Sequence, residues 1–343
     1  MCAQVGSPRK PSDRQFFVST SGESGTRGPD WGYGLVVPIE NPRRPLPGVL
    51  LVHKPVGATS FSLVHEVQTA LAASPGKPWK VCHGGVLDPF ASGLLPILIG
   101  PATKLFERLH EVPKTYEATV VWGAETDTGD AGGAVVQTGD ASGLTEAALT
   151  EALAPFIGWT KQVPPATSNK RIDGERAYEK AHRGEAVELP PCDVFLHRAH
   201  FVKHALPGSS VLRLTCRGGF YVRALARDLG RALGCRAHLS ELRRTHIGPW
   251  SDPVVGQRSE VVGADVLPWL PTLELHDDDW GVLKNATGTV SVRGKVKAAR
   301  WTVPEGFPAP KELIVASHLG RVVALLERRE GGFGVSQLLL PPL

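Results

Sequence analysis

This chain of 343 residues contains few cysteines and lacks any long apolar run. Its five cysteines are scattered, form no C-x-x-C pair and have no histidines at zinc-ligand spacing, so neither a disulfide framework nor a structural zinc site is indicated. The most apolar stretch, GLLPILIG at residues 93–100, is too short to span a bilayer. The first residues include no apolar segment of signal-peptide length. We therefore expect a soluble, cytoplasmic protein without a membrane segment.

The net charge is low, but the basic residues are concentrated in one segment. The formal total is +4, whereas residues 196–246 contain ten Lys or Arg and two acidic residues, a local charge of +8 that leaves −4 for the remainder. Arg223, Arg227 and Arg231 recur every four residues and predict one stripe along a helix. Such a stripe alone is compatible with a solvated helix face. The preference for Arg over Lys favours a polyanionic partner, of which nucleic acid is the commonest.

The length is about twice that of one domain and predicts more than one folded unit. Residues 1–47 are rich in Pro and Gly and predict a flexible N-terminal extension. Residues 48–270 combine strand and helix patterns and predict the larger folded domain. From residue 271 to residue 343 short β-rich runs with Gly turns predict a small second domain.

Side-chain periodicity predicts several elements of the larger domain. The apolar run at residues 48–52 predicts a buried strand, and Thr59 or Ser60 can begin the helix that follows. The apolar face of that helix is predicted to contain Phe61, Val64, Val67 and Leu71. Alternation over residues 114–122 predicts a strand with one face formed by Tyr116, Ala118, Val120 and Trp122. A helix is expected over residues 221–233.

The loop around Asp88 is the most informative local feature. Glycines at positions 84, 85 and 93 allow the backbone to approach a ligand closely. Pro89 biases Asp88 away from the helical region, so its carboxylate is presented on an extended turn. An Asp-Pro turn on its own would be ordinary, and the interpretation of this loop therefore depends on the motifs that surround it.

Five motifs follow one another in a recognisable order, and together they resemble the TruB-type tRNA pseudouridine synthases, which isomerise uridine 55 in the TΨC loop of tRNA. The motifs are GVLLVHKPVGATSF, HGGVLDPFASGLLPILIGPATKL, KTYEATVVWGAETDTGDAGG, QVPPATSNKRIDGERAYEKAHRG and GGFYVRALARDLGRALGCRAHLSELRRTHIGPW. The resemblance implies an α+β pseudouridine synthase fold, with a mixed, largely antiparallel sheet flanked by helices. It also implies a small C-terminal PUA-like, RNA-binding β-barrel over residues 271–343.

The resemblance also implies a set of site residues. Asp88 matches the catalytic nucleophile, Tyr116 the tyrosine that stacks on the target base and serves in proton removal from C5, and Arg223 the arginine that pairs with the carboxylate. The implied substrate-binding residues are His83, Tyr221, Leu242 and Lys54; Lys54 belongs to a motif that supports the loop by packing. The implied partner is the T stem-loop of tRNA, and we expect a monomer without an obligate protein partner.

The chemistry is consistent with these roles. Converting uridine to pseudouridine replaces an N-glycosidic bond by a C-glycosidic one without net redox change, so no cofactor and no metal are expected. An ionised carboxylate can serve as the nucleophile, a neighbouring Arg favours its charged form, and an aromatic ring can hold a flipped base. The turn GAETDTGDAGG lacks the spacing and the final Glu of a calcium-binding EF-hand loop and is interpreted as a plain turn.

Three positions depart from the usual family pattern, and two other functions remain compatible with the sequence. Gly84 stands where the family usually has Thr, His53 where Asp is common, and Thr167 where Tyr is frequent. One alternative is an RNA-binding or tRNA-folding protein with the same fold, in which catalysis is incidental. The other is a hydrolase of N-glycosidic bonds, which would also use a carboxylate but would release free uracil.

Overall fold

The structure is a computed structural model that describes residues 48–72, 78–168, 170–172, 174–183, 185 and 187–339. The predicted N-terminal extension, residues 1–47, lies outside the described residues. The α-helices are α1 Ser60–Ala72, α2 Phe106–His110, α3 Glu146–Leu153, α4 Ala177–His182, α5 Val222–Ala232 and α6 Asp277–Leu283, and short 3-10 turns occur at Gly100–Leu105, Ala154–Phe156 and Gly263–Val266.

Strands contribute more of the described residues than helices do. In chain order they are β1 Val49–Lys54, β2 Val81–His83, β3 Ser92–Ile99, β4 Lys114–Trp122, β5 Ala124–Thr126, β6 Val135–Thr138, β7 Gly158–Gln162, β8 Arg171–Ile172, β9 Glu175–Arg176, β10 Cys192–Ala205, β11 Ser209–Cys216, β12 Ala237–Ile247, β13 Trp250–Ser251, β14 Arg258–Val261, β15 Thr272–Glu274, β16 Thr289–Val290, β17 Ile314–His318, β18 Arg321–Arg329 and β19 Gly332–Leu338.

A ten-stranded sheet forms the centre of the larger part. Its order is β14-β1-β3-β12-β4-β11-β10-β7, with β2 added to β3 and β13 added to β12. The β3–β12 pairing is parallel and the other pairings are antiparallel. The prediction of an α+β fold with a mixed, largely antiparallel sheet is confirmed.

The parallel contact between β3 and β12 brings two parts of the site together. Gly93 pairs with Arg244 across this contact, and its φ of +105° lies in the left-handed region. A Cβ at Gly93 would lie 2.3 Å from the Arg244 carbonyl oxygen. Only glycine therefore allows β12 to approach β3 at the end of the loop that carries Asp88.

Strand β4 shows the predicted alternation. Tyr116, Ala118, Val120 and Trp122 are buried on one face, and the residues between them are half-buried. The buried face packs in one core cluster with α5 residues such as Leu225 and Leu229. Because Tyr116 shares this face, its ring is fixed by the core, and the sheet determines where the ring stands.

The predicted face of α1 is wrong at one position. Thr59 caps the helix, its hydroxyl accepting the Ser62 N–H at 3.0 Å, as the sequence indicated. Phe61, however, is 71% exposed, and Leu63 occupies the core beside Val64. Ser60 explains the difference, because its hydrogen bonds to the loop at Leu87 fix the rotation of the first turn.

A second sheet lies in the C-terminal part. Its five strands have the order β15-β17-β18-β19-β16. Side chains from both sheets share one core cluster, which includes Val49, Leu98, Trp269, Val315 and Leu325. The predicted β character is confirmed, while a closed PUA-like barrel and a domain boundary at residue 271 stay predictions. Helix α6 has no counterpart in the sequence-based prediction.

A search of the described residues for a helix long and apolar enough to cross a membrane finds none.

Candidate active site

Lys54 and Ser60 hold the loop that carries Asp88 through hydrogen bonds to its backbone. The Lys54 ammonium, fully buried, donates to the carbonyl oxygens of Ala58 at 2.7 Å, Pro55 at 3.0 Å and Pro89 at 3.3 Å. The Ser60 hydroxyl accepts the Leu87 N–H at 2.9 Å and donates to the Leu87 carbonyl at 3.0 Å. The residues on both sides of Asp88 are thus anchored, and the carboxylate is held in one place.

Arg244 on β12 holds the other side of the same loop. Its guanidinium is buried and donates to the carbonyl oxygens of Leu94 at 2.8 Å, Gly85 at 2.9 Å and Val86 at 3.4 Å. The sequence placed Arg244 only within the basic segment. Its structural role could not be inferred, because its acceptors are backbone carbonyls that leave no mark in the sequence.

Asp88 and Arg223 form the ion pair that the resemblance implies. The Arg223 Nε lies 2.9 Å from Asp88 Oδ2, and its Nη2 lies 3.1 Å from Asp88 Oδ1. Arg223 is the second residue of α5. The start of this helix is fixed by Tyr221, the residue before it, whose N–H donates to the Gln162 side chain at 3.0 Å. The two contacts between the Arg223 guanidinium and Asp88 fix the plane of the carboxylate and favour its charged form.

Three further oxygens complete the surroundings of the Arg223 guanidinium. Nη1 donates to the Thr128 carbonyl at 2.7 Å and to the Thr167 hydroxyl at 2.6 Å, and Nη2 also reaches the Thr167 carbonyl at 3.4 Å. With the two bonds to Asp88, these occupy all five N–H groups of the guanidinium. The arginine is therefore held in a single orientation.

Asp130 adds a second carboxylate to the site. Its Oδ2 lies 3.8 Å from Arg223 Nη1, and the turn that carries it is bonded to Leu239 of β12 through Gly129 and Ala131. The sequence-based interpretation of this stretch as a plain turn missed its contact with Arg223. The only sequence signal was the cluster of acidic residues in the motif, which is as common in solvent-exposed turns.

The Asp88 carboxyl experiences opposing influences. Burial raises its pKa, and the nearby Asp130 carboxylate raises it further, whereas the Arg223 guanidinium and the Lys54 ammonium lower it. The net direction is upward. Burial also raises the pKa of Tyr116, against the opposing effect of the Arg244 guanidinium, so the phenol is held in its neutral form.

A cavity of about 620 Å³ opens at this ion pair. Of the predicted site residues, it is lined by His83, Asp88, Tyr116, Tyr221, Arg223 and Leu242. Lys54 does not line it, because its side chain is buried beneath the loop. The structure therefore does not place Lys54 where it could touch a substrate, and its bonds to three carbonyls make it a support of the loop.

Tyr116 and Leu242 form part of one wall of the cavity. They stand on the neighbouring strands β4 and β12, two residues apart in register, and belong to the same buried cluster. Tyr221 contributes from the start of α5, with its phenol pKa raised by burial. An aromatic and aliphatic wall beside a carboxylate can accept a flat, weakly polar ring such as a nucleobase.

Residues of basic type also line the cavity. His83, His110 and Lys114 line it together with Phe106, whose ring centroid lies 4.8 Å from that of His110. Burial lowers the pKa of His110 to about 4 and that of Lys114 to about 7. At pH 7 His110 is therefore mostly uncharged, and the charged and uncharged forms of Lys114 are both populated. Of these residues the sequence points only to His83.

The predicted arginine stripe is largely neutralised inside the protein. Arg227 pairs with Asp228 at 2.8 Å and Arg231 with Glu125, while Arg223 pairs with Asp88. The four-residue spacing does place the three side chains along α5. The partners of Arg223 and Arg231 come from distant parts of the chain and could not be seen in the spacing.

No group of three or more His, Cys, Asp or Glu side chains within the described ranges is arranged to hold a metal ion. The acidic turn around Asp130 is occupied by its own hydrogen bonds, in which the Thr126 hydroxyl donates to the Asp130 carbonyl at 2.7 Å and the Gly132 N–H to its carboxylate at 3.0 Å.

Comparison with solved structures shows the fold. A chain in a crystal structure of a Cbf5-Nop10-Gar1 complex matches with a TM-score of 0.59 and 22% identity, over 86% of this chain and 84% of that chain. A chain of an H/ACA ribonucleoprotein bound to a substrate RNA containing 2'-deoxyuridine matches with a TM-score of 0.59 and 21% identity, over 92% of both chains.

Comparison with known sequences shows the family. The N-terminal domain model of the TruB family pseudouridylate synthases matches residues 74–222, and the C-terminal domain model of tRNA pseudouridylate synthase B matches residues 223–261. The tRNA pseudouridine synthase B of Xanthomonas campestris pv. campestris (strain B100) is 44% identical over 61% of this chain and 66% of that protein. That of Paracoccus denitrificans (strain Pd 1222) is 45% identical over 60% of this chain and 67% of that protein.

The match covers slightly less than two thirds of the first of these relatives, 66% of its length. Asp88, Tyr116 and Arg223 all fall within the two matched domain models. The chain belongs to the TruB family of pseudouridylate synthases.

Proposed function

We propose that this protein isomerises uridine to pseudouridine in tRNA, with uridine 55 of the TΨC loop as its target. The observation that carries the proposal is the two-point ion pair between Asp88 and Arg223 at the mouth of a cavity walled by Tyr116 and Leu242. Sequence identity of 44% and 45% to two proteins named tRNA pseudouridine synthase B supports the same activity.

The proposed reaction begins with binding of the flipped uridine. Its ring lies against Tyr116 and Leu242, which supply apolar and aromatic contact, and the loss of stacking within the RNA is offset by these contacts. Tyr221, at the start of α5, closes another side of the pocket. The base is then held next to the Asp88 carboxylate.

In the proposed chemical step, ionised Asp88 acts as the nucleophile, on either the sugar or the base. A bond forms between an Asp88 carboxylate oxygen and the substrate, the N1–C1′ bond of the nucleoside breaks, the base turns, a C5–C1′ bond forms, and the bond to Asp88 breaks. C5 loses its proton and N1 gains one, so atoms and electrons balance without a redox partner. Tyr116, whose phenol is neutral, is the candidate relay for the C5 proton and takes it up as its own hydroxyl proton leaves, while Arg223 keeps Asp88 charged and oriented.

RNA binding outside the cavity is proposed for the C-terminal part. Arg293, Lys295 and Lys297 are exposed in one short segment between β16 and β17. Such clustered exposed cations are suited to the phosphate backbone of RNA. We propose that residues 271–343 act as the PUA-like RNA-binding domain, and that the protein works as a monomer in the cytoplasm.

Tritium release tests the proposed activity. A tRNA transcript carrying [5-³H]uridine loses tritium to water when C5 is joined to the sugar, so wild-type protein is expected to release it in proportion to pseudouridine formed. Free uracil in place of tritium release would identify a hydrolase. Folded protein that binds tRNA but releases neither product would favour an RNA-binding protein in which catalysis is incidental.

A further inference from the structure

We propose that Thr167 is a positioning residue that sets the orientation of Arg223, and through it the orientation and charge of Asp88. The inference rests on the proposed function. It concerns a residue that lies outside the cavity lining and therefore acts on the substrate only through Arg223.

The donors of the Arg223 guanidinium and the acceptors around it are matched in number. Arginine has five N–H donors in a rigid plane, and each needs an acceptor when the side chain is buried. Arg223 is buried, two of its donors reach Asp88 and one reaches the Thr128 carbonyl. Thr167 accepts the other two, through its hydroxyl at 2.6 Å and its carbonyl at 3.4 Å.

The geometry of the contact with Thr167 restricts how the guanidinium can turn. Because the guanidinium is planar, fixing Nη1 on one edge determines the direction of Nε and Nη2 on the other. The 2.6 Å hydrogen bond to the Thr167 hydroxyl is the shortest of those around Arg223. Loss of this acceptor leaves a buried N–H unpaired, and the plane can turn toward Asp130, whose carboxylate oxygen lies 3.8 Å from Nη1.

Thr167 lies in a segment that hydrogen bonds hold in place. Pro165 and Ser168 close a turn around it, with the Ser168 N–H bonded to the Pro165 carbonyl at 3.0 Å. The same segment begins at Gln162, whose side-chain amide bonds both the N–H and the carbonyl of Tyr221 at the start of α5. The segment of Thr167 and the start of α5 are therefore connected twice, through Gln162 with the backbone of Tyr221 and through the Thr167 hydroxyl with Arg223.

The consequence for Asp88 follows from its surroundings. Burial raises the pKa of the Asp88 carboxyl and the Arg223 guanidinium lowers it, so a displaced guanidinium lets that pKa rise further. A rate that requires ionised Asp88 then has its acid limb at higher pH. A residue needed only for folding would lower thermal stability without moving this limb.

The test compares Thr167→Val, which removes the hydroxyl at nearly constant shape, with Thr167→Ser, which retains it. Thr150→Val is the matched control, because Thr150 is exposed and its hydroxyl donates to the Glu146 carbonyl at 2.9 Å within α3. We expect Thr167→Val to lower the single-turnover rate at pH 7 about tenfold or more, the usual effect of losing a hydrogen bond to a charged group. Binding of tRNA should be unchanged, the acid limb should shift upward, and Thr167→Ser should restore most of the rate.

A second readout does not depend on activity. The carboxyl carbon of Asp88, labelled with ¹³C and assigned by its loss in Asp88→Asn, is titrated by NMR in wild-type protein and in Thr167→Val. A higher pKa in Thr167→Val supports the inference. An unchanged pKa together with a rate equal to that of Thr150→Val overturns it. If wild-type protein forms no pseudouridine, the proposed function fails, and this titration alone decides whether Thr167 positions Arg223.

Discussion

Arg223 contacts Asp88 at two points, with Nε 2.9 Å from one carboxylate oxygen and Nη2 3.1 Å from the other, although the two residues are 135 positions apart in the sequence. The arginine side chain is 7% exposed, whereas that of Asp88 remains 30% exposed on the cavity side. The pair therefore combines a buried, fixed cation with a carboxylate that a substrate can still reach.

This geometry predicts that lysine cannot replace Arg223. Arg223→Lys retains the charge but offers no planar fork, so it cannot satisfy Asp88, Thr128 and Thr167 together. We expect the single-turnover rate to fall by roughly 30-fold or more, the equivalent of about 2 kcal/mol. Arg258→Lys, at an ion pair with Glu260 on β14, is the control and should retain the wild-type rate. A wild-type rate in Arg223→Lys would show that the fork is dispensable.

Lys54 is predicted to support the loop and not the substrate. Lys54→Met leaves three carbonyl oxygens, the buried one of Ala58 among them, without their donor, and we expect the free energy of unfolding in urea to fall by about 1–3 kcal/mol. Affinity for tRNA should stay unchanged, because the side chain does not line the cavity. Weaker tRNA binding with an unchanged free energy of unfolding would instead support the sequence-based assignment of Lys54 to substrate binding.

Lys114 predicts a specific pH dependence of stability. Burial, with the Arg244 guanidinium adding to it, lowers the pKa of Lys114 to about 7, whereas an unfolded lysine titrates near about 10.4. Between these values the unfolded chain binds a proton that the folded chain does not, so this group makes stability rise with pH by up to about 1.4 kcal/mol per unit.

Urea unfolding between pH 7.5 and pH 9.5 measures this contribution as a difference between proteins. The free energy of unfolding of Lys114→Met should rise less steeply with pH than that of wild-type protein. Lys161→Met is the control, because Lys161 is 69% exposed in its pair with Asp193. Parallel curves for Lys114→Met and wild-type protein would mean that Lys114 keeps an ordinary pKa when folded.

Gly84, where the family usually has Thr, is predicted to be coupled to Leu109. A Cβ at Gly84 would lie 2.5 Å from Leu109 Cδ1 and 3.0 Å from Pro96 Cβ, in a buried part of the molecule. We expect Gly84→Thr to lower the free energy of unfolding by about 1–3 kcal/mol through overpacking. In a double-mutant cycle, Leu109→Ala should cost less in the Gly84→Thr background than in wild-type protein. Additive costs would contradict this packing.

Local patterns in the sequence predicted the sheet-forming parts well. The alternation around Tyr116 depends only on neighbouring residues and was found as predicted in β4. The face of α1 was wrong at Phe61, because the rotation of that helix is set by the contact of Ser60 with Leu87, a tertiary feature. Periodicity alone could not distinguish the two rotations.

The sequence predicted the parts of the site that depend on side chains within a motif. It did not predict the parts in which backbone carbonyls accept the hydrogen bonds. The Asp88–Arg223 pair followed from the family resemblance. The carbonyls of Thr128 and Gly85, which hold Arg223 and Arg244, have no residue preference and left no signal. Thr167 was noted only as a departure from the family pattern, since its hydrogen bond depends on how two distant segments meet.

The most direct test of the account is to map pseudouridine chemically in an unmodified tRNA transcript after incubation with wild-type protein or with Asp88→Asn. Asp88→Asn retains the size of the side chain but removes its charge and its nucleophilicity, and thermal melting confirms that it is folded. The account predicts pseudouridine at position 55 of the T loop with wild-type protein and none with Asp88→Asn. Undiminished modification by folded Asp88→Asn, or no modification of the T loop by wild-type protein, would contradict it.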